Sequence, residues 1–213
     1  SPPWTPVAFG AVGSAPQGAP DIAPDYACAL SGGAGPVVTN SQTPLPGDPY
    51  TGTQLPAYIY QQTDGQNVYF AGYDWNLGCC SSLNGGWVGI FSVPLAGGPV
   101  TSIVQNGDTL PAIGQVTNIE TEFSVDNGGV VFIALNESVS PTQRGIFLYQ
   151  GGQIYKVFAS GDSLDGGTLT QNGSLEVWPH SYKNGQIAFE WIGGVFAATL
   201  PAPPPTSSSA RSQ

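Results

Sequence analysis

Charge is what this sequence has least of. Only 8% of its 213 residues are Asp, Glu, Lys or Arg, about a third of the usual share. Such a surface has to be covered by Ser, Thr, Asn, Gln and Gly, a pattern common in extracellular β proteins and unusual for a cytosolic enzyme. The four basic residues, Arg144, Lys156, Lys183 and Arg211, are scattered, and the net charge is −10. Without a cationic cluster the chain cannot displace counterions from phosphates, which excludes nucleic acid and anionic membrane surfaces as partners. Methionine is absent, Lys and Glu are few, and no apolar periodicity of 3.6 residues runs along the chain, so helix content should be very low. No apolar run reaches the roughly 18 residues that a bilayer-spanning helix needs. A hydrophobic leader is also missing at Ser1, and a start without Met is what removal of an upstream leader would leave.

What is plentiful is turn chemistry and a core. Gly occurs 30 times and Pro 20 times, and apolar residues make up 40% of the chain, enough for one large domain or two small ones. The three cysteines are Cys28, Cys79 and Cys80. An odd number leaves one thiol over, so the expectation is a disulfide from Cys28 to Cys79 or Cys80, with the remaining thiol free or intermolecular. A zinc site is a poor fit, since the adjacent pair lacks a spacer and the only histidine, His180, lies far along the chain.

The strongest signal is self-similarity. Three landmarks recur three times in one order. A Gly-Asp pair stands at Gly47-Asp48, Gly107-Asp108 and Gly161-Asp162. A turn stands at Asp64-Gly65, Asn127-Gly128 and Asn184-Gly185, followed shortly by Phe70, Phe132 and Phe189. A Gly-aliphatic-Phe strand stands at Gly89-Ile90-Phe91, Gly145-Ile146-Phe147 and Gly194-Val195-Phe196. Asn-Gly and Asp-Gly admit positive φ at both central positions and so close tight hairpins. In the Gly-Asp pair, Gly takes the left-handed conformation while the carboxylate accepts backbone N–H bonds across the turn. Calcium ligation is the competing role for Asp48, Asp108 and Asp162.

Each unit reads as four short strands, in the last one near 145–149, 153–160, 174–182 and 186–192. A four-stranded antiparallel unit at this period is the mark of a propeller blade. The expected fold is therefore all-β, a β-propeller-like array, with a β-sandwich of about twelve strands as the alternative. The expected organisation is a Pro-rich segment with one strand over 1–24, repeats over about 25–88, 89–144 and 145–200, and a Pro/Ser-rich tail over 201–213. The residues Trp4 to Gly10 look like the last strand of a unit and Gly194 to Leu200 like the first. The two ends should then pair with each other or with another chain.

These landmarks, with KNGQIAF at Lys183 to Phe189 the closest match, resemble a bacterial family of secreted tandem-repeat proteins whose units carry an N-x-x-G-x-x-A-F motif. Here the Asn-to-Gly spacing is shortened to the adjacent Asn184-Gly185. The likeness is best over 89–200 and faint before 70. It implies propeller-like repeats in surface-anchored proteins and supplies no catalytic residues.

Candidate sites are few. A Ser- or Cys-based hydrolase would have only His180 as a base, and no Ser sits in a nucleophile elbow. The acidic pairs Glu120/Glu122 and Asp162/Asp165 could serve a two-carboxylate glycosidase, but each fits a solvated strand face or a turn more naturally. For binding, the stretch Tyr73, Asp74, Trp75 to Trp87 combines aromatic faces with short polar groups, as a glycan site requires. Its competing role is a loop pinned by Cys28, with Trp75 or Trp87 covering the core edge. Two sequons, at Asn136 and Asn172, are expected in loops, and Thr206, Ser207 and Ser208 beside prolines are candidate O-glycan acceptors. The tail itself reads as a polyproline stalk or as a strap docking on a neighbouring copy. Taken together, the expectation is a secreted, non-enzymatic structural or assembly protein without cofactor, partnered chiefly by itself, as in a filament or cell-surface subunit. A carbohydrate-binding module is the second expectation and a glycoside hydrolase the third.

Overall fold

The computed structural model describes residues 7–10, 25–28, 34–39, 45–48, 56–74, 87–170 and 174–199. They form only strands and turns, with no helix among the described residues. The first sheet pairs β1 (Val7–Gly10), β2 (Asp25–Cys28) and β3 (Ala34–Thr39) in that order. The second runs β4 (Pro56–Thr63), β5 (Asn67–Asp74), β6 (Val88–Pro94) and β7 (Thr101–Gln105). A small hairpin follows, β8 (Thr109–Leu110) with β9 (Gly114–Gln115). The third sheet is β10 (Asn118–Asp126), β11 (Gly129–Asn136), β12 (Gln143–Gln150) and β13 (Gln153–Ala159), followed by the hairpin β14 (Ser163–Leu164) and β15 (Gly167–Thr168). The fourth centres on β18 (Gln186–Trp191), flanked on one side by β16 (Leu175–Glu176) and β17 (Tyr182–Lys183) and on the other by β19 (Gly194–Thr199). Every pairing is antiparallel.

The turns behave as their residues dictate. Asn127-Gly128 and Asn184-Gly185 carry φ of 48° and 75°, and 51° and 76°, the double left-handed geometry of a two-residue hairpin. Asp64-Gly65 departs from it. Only Gly65 is left-handed there (φ 88°), and the Asp64 carboxylate holds a three-residue loop by accepting from Gln66 N and Asn67 N, both at 2.8 Å. At each Gly-Asp pair a hydrogen bond from the Asp N–H closes a four-residue turn, onto Leu45 O at 3.2 Å, Gln105 O at 3.2 Å and Ala159 O at 2.9 Å. The glycines have φ of 77°, 96° and 91°, as position three of a type II turn requires. The carboxylates of Asp108 and Asp162 accept Gln105 N and Ala159 N, each at 2.9 Å, which is turn chemistry. Lys156 Nζ also lies 2.7 Å from Asp162 Oδ1.

The sheets stack, and their phase differs from the sequence units. The units are expected to begin at 89 and 145, yet those positions fall inside the second and third sheets. The second and third sheets each join the last two strands of one unit to the first two of the next. Cross-strand Phe pairs do the joining. Phe70 sits opposite Phe91, Phe132 opposite Phe147 and Phe189 opposite Phe196. Their ring centroids are 5.9, 5.9 and 5.8 Å apart at 30°, 28° and 27°, a stacked geometry within the favoured range for aromatic pairs. The glycine two residues earlier makes room for the ring: a Cβ on Gly89 would meet Phe91 at 2.6 Å, and one on Gly194 would meet Phe196 at 2.9 Å.

Alternation along the strands buries both faces of the third sheet. Val130, Phe132 and Ala134 enter a core with Tyr69, Ala71 and Ile90 of the second sheet. Val131 and Ile133 point the other way, into a core with Ile187, Phe189 and Trp191 of the fourth. The Pro-rich ends over 1–6 and 200–213 lie outside the described residues.

Candidate assembly face

The contact between the third and fourth sheets shows how this chain joins one sheet to the next. Apolar packing is supplied by Val131, Ile133, Ile146 and Leu148 against Ile187, Phe189 and Trp191. Phe158 bridges the two, 5.7 Å from Phe189 and 5.3 Å from Trp191. A polar clamp fixes the register. Asp126, at the end of β10, accepts Lys183 Nζ at 2.7 Å, Asn184 N at 2.8 Å and Asn127 Nδ2 at 3.1 Å. Burial alone would raise the Asp126 pKa, but these donors outweigh it and hold the carboxyl below its usual range. The same carboxylate, added to burial, pushes the Tyr182 hydroxyl up. Next to the clamp, buried Ser124 Oγ accepts Tyr182 N at 2.9 Å.

Among the described residues, nothing covers the far face of the fourth sheet in this way. Register identifies the equivalent positions in the three sheets: Ala71 opposite Ile90, Ile133 opposite Ile146, and Glu190 opposite Val195. Ile90 and Ile146 are 0% exposed, whereas Val195 is 81% exposed. Around Val195 lie Gln186, Ala188, Glu190, Ala197 and Thr199, on the same face by strand alternation; Gln186, Ala188, Ala197 and Thr199 are also exposed. The edge of this sheet differs as well. Strands β6 and β12 each have a further strand beyond them, β7 and β13. Among the described residues β19 pairs with β18 alone. Its six residues, GVFAAT, carry no charge and no proline, so nothing in it discourages strand addition. Among the described residues, an uncovered face and an uncharged, unpaired edge fall on one sheet, and such a surface can bind an extended strand and the sheet behind it.

Of the glycan residues expected from sequence, Trp87 is the one whose side chain is described. Trp87 is buried and lies 5.6 Å from the Phe91 ring, so it covers the core edge and offers no stacking face. Tyr73 and Asp74 close β5; their side chains, and Trp75, lie outside the described residues. Cys28 ends β2, while Cys79 and Cys80 lie outside the described residues, so the disulfide expectation rests on sequence. The sequon at Asn136 falls at the end of a strand and not in the expected loop. Asn136 ends β11, is buried and donates through Nδ2 to Ile113 O at 2.8 Å. Asn172, Thr206, Ser207 and Ser208 lie outside the described residues. His180 is in a turn and not in the expected strand, because Trp178, Pro179, His180 and Ser181 close a bend with Ser181 N on Trp178 O at 3.1 Å. Glu120 and Glu122 stand on β10, and Glu120 is paired with Arg144 at 2.8 Å. Comparison with known protein families, with curated proteins and with solved structures found no match.

Proposed function

We propose that this chain is an extracellular assembly module whose fourth sheet continues the stack into a second copy. The observation that carries the reading is Val195, exposed at a position where the two preceding sheets bury isoleucine. Burying one such aliphatic side chain contributes about 1.5–3 kcal/mol; the row Ala188, Val195 and Ala197 and the strand hydrogen bonds of β19 add to it. In the sequence following β19, Pro201, Pro203, Pro204 and Pro205 lack backbone N–H groups, so this stretch is a poor fourth strand for its own sheet. A strand from another copy is a better one.

Each internal contact joins unlike faces, the Phe-pair side of one sheet and the far side of the sheet before it. A contact that repeats this between copies is head-to-tail, and it extends into a filament unless the rotation closes a ring. The four-stranded sheets are here read as propeller-like blades, as the resemblance to secreted repeat proteins of the cell surface implies. The low charge and the strand-only content of the described residues support a structural role. The test is mass against concentration: light scattering and negative-stain microscopy should show species larger than a dimer, and a monomer at all concentrations would refute the proposal.

A further inference from the structure

A second surface, separate from the open sheet, has the chemistry of a ligand site. An open cleft of about 360 Å³ lies between the third and fourth sheets, lined by Glu120, Glu122, Arg144, Glu176 and Trp178 over an apolar floor of Leu175 and Val177. Its size is within the range of small-ligand sites. Glu120 and Glu122 come from β10 and Glu176 from β16, so the cleft exists only once the two sheets pack. Arg144 fixes it from behind, with Nη2 on Glu120 Oε1 at 2.8 Å and on Leu175 O at 3.2 Å.

Trp178 forms the rim and is 50% exposed. The turn that presents it contains His180 at φ 68°, a conformation that normally calls for glycine. Ser181 N on Trp178 O at 3.1 Å closes that turn and sets Trp178 at the rim. Three carboxylates against one guanidinium leave the cleft negative. Burial and the neighbouring Glu122 and Glu176 raise Glu120, although Arg144 pulls it down. Anionic ligands are therefore repelled. The three carboxylates do not converge as the ligands of a metal ion would.

We propose that this cleft binds a neutral glycan chain, with Trp178 as the stacking platform and the glutamates as acceptors for sugar hydroxyls. The C–H face of a pyranose matches the indole, and hydroxyl donors match the partly exposed carboxylates of Glu122, Glu176 and the Arg144-paired Glu120.

The test is affinity electrophoresis of the intact chain through gels holding laminarin, mannan, galactan, xylan or, as the anionic arm, alginate. The expected result is retardation by at least one neutral polymer and none by alginate. Trp178→Ala should weaken retardation about tenfold or more, and Glu176→Gln should weaken it while leaving the melting temperature unchanged. No retardation by any neutral polymer, retardation by alginate alone, or retardation that Trp178→Ala leaves intact would each overturn the proposal. Release of reducing ends abolished by Glu120→Gln would overturn it in favour of hydrolysis.

Discussion

Replacing Asp126 by Asn perturbs the clamp between the third and fourth sheets at one atom. The Asp126 side chain is only 8% exposed and receives three donors, whereas Lys183, its ionic partner, is 73% exposed. Lys183 can return to water when the charge is removed, so the ion pair itself is worth little, about 0–1 kcal/mol. The larger loss is at Asn184, whose backbone N–H would face an amide nitrogen or share the single remaining acceptor. A charge-assisted bond to a buried group is worth about 1.5–3 kcal/mol, and stranding its donor costs about as much. Together these give a loss of about 2–3 kcal/mol, or roughly 4–12 °C in melting temperature for a chain of this size. The pH dependence has a definite sign. A carboxyl whose folded pKa lies below the usual value near 3.9 stabilises fully above that pH, and its contribution disappears as pH falls through the folded value. Urea unfolding of wild type and variant should therefore show the full gap near neutrality and a closing gap as pH drops below about 4. A gap under about 0.5 kcal/mol, or one that stays constant into acid, would refute the clamp.

The Phe pairs should behave as coupled units. In a double-mutant cycle with Phe132→Leu and Phe147→Leu, measured by denaturant unfolding, the expected coupling is about 0.5–1.5 kcal/mol. A coupling near zero would mean the rings only fill volume. Relieving the strained turn should stabilise the protein: His180→Gly should raise stability by about 1 kcal/mol in thermal unfolding, since the left-handed conformation costs an L-residue about that much. The same variant should bind neutral glycan more weakly if the strained turn holds Trp178 in place.

Local features were legible in the sequence because local chemistry decides them. The expected strands near 145–149, 153–160 and 186–192 correspond to β12, β13 and β18, and the Asn-Gly hairpins fall where they were read. Pairing was not legible. Phe147 can be recognised as a strand residue from its neighbours, but its opposite number is Phe132, in the preceding unit. Only burial decides that. The single expected strand over 174–182 divides into β16 and β17 because the Trp178-Pro179 turn interrupts it, and Pro179 was the available signal. The cleft escaped notice for the same non-local reason. Glu120 and Glu122 read as a solvated face, and nothing local says that Arg144 and Trp178 will arrive beside them.

The central claim is that the open face around Val195 joins copies of this chain. Light scattering across a concentration series, on wild type and on Val195→Lys, tests it most directly. Val195 is exposed in the single copy, so a lysine there leaves the fold intact while placing a charge in the contact. The account predicts a mass that climbs with concentration for the wild type and a monomer for the variant. A monomeric wild type, or assembly that Val195→Lys leaves unchanged, would contradict it.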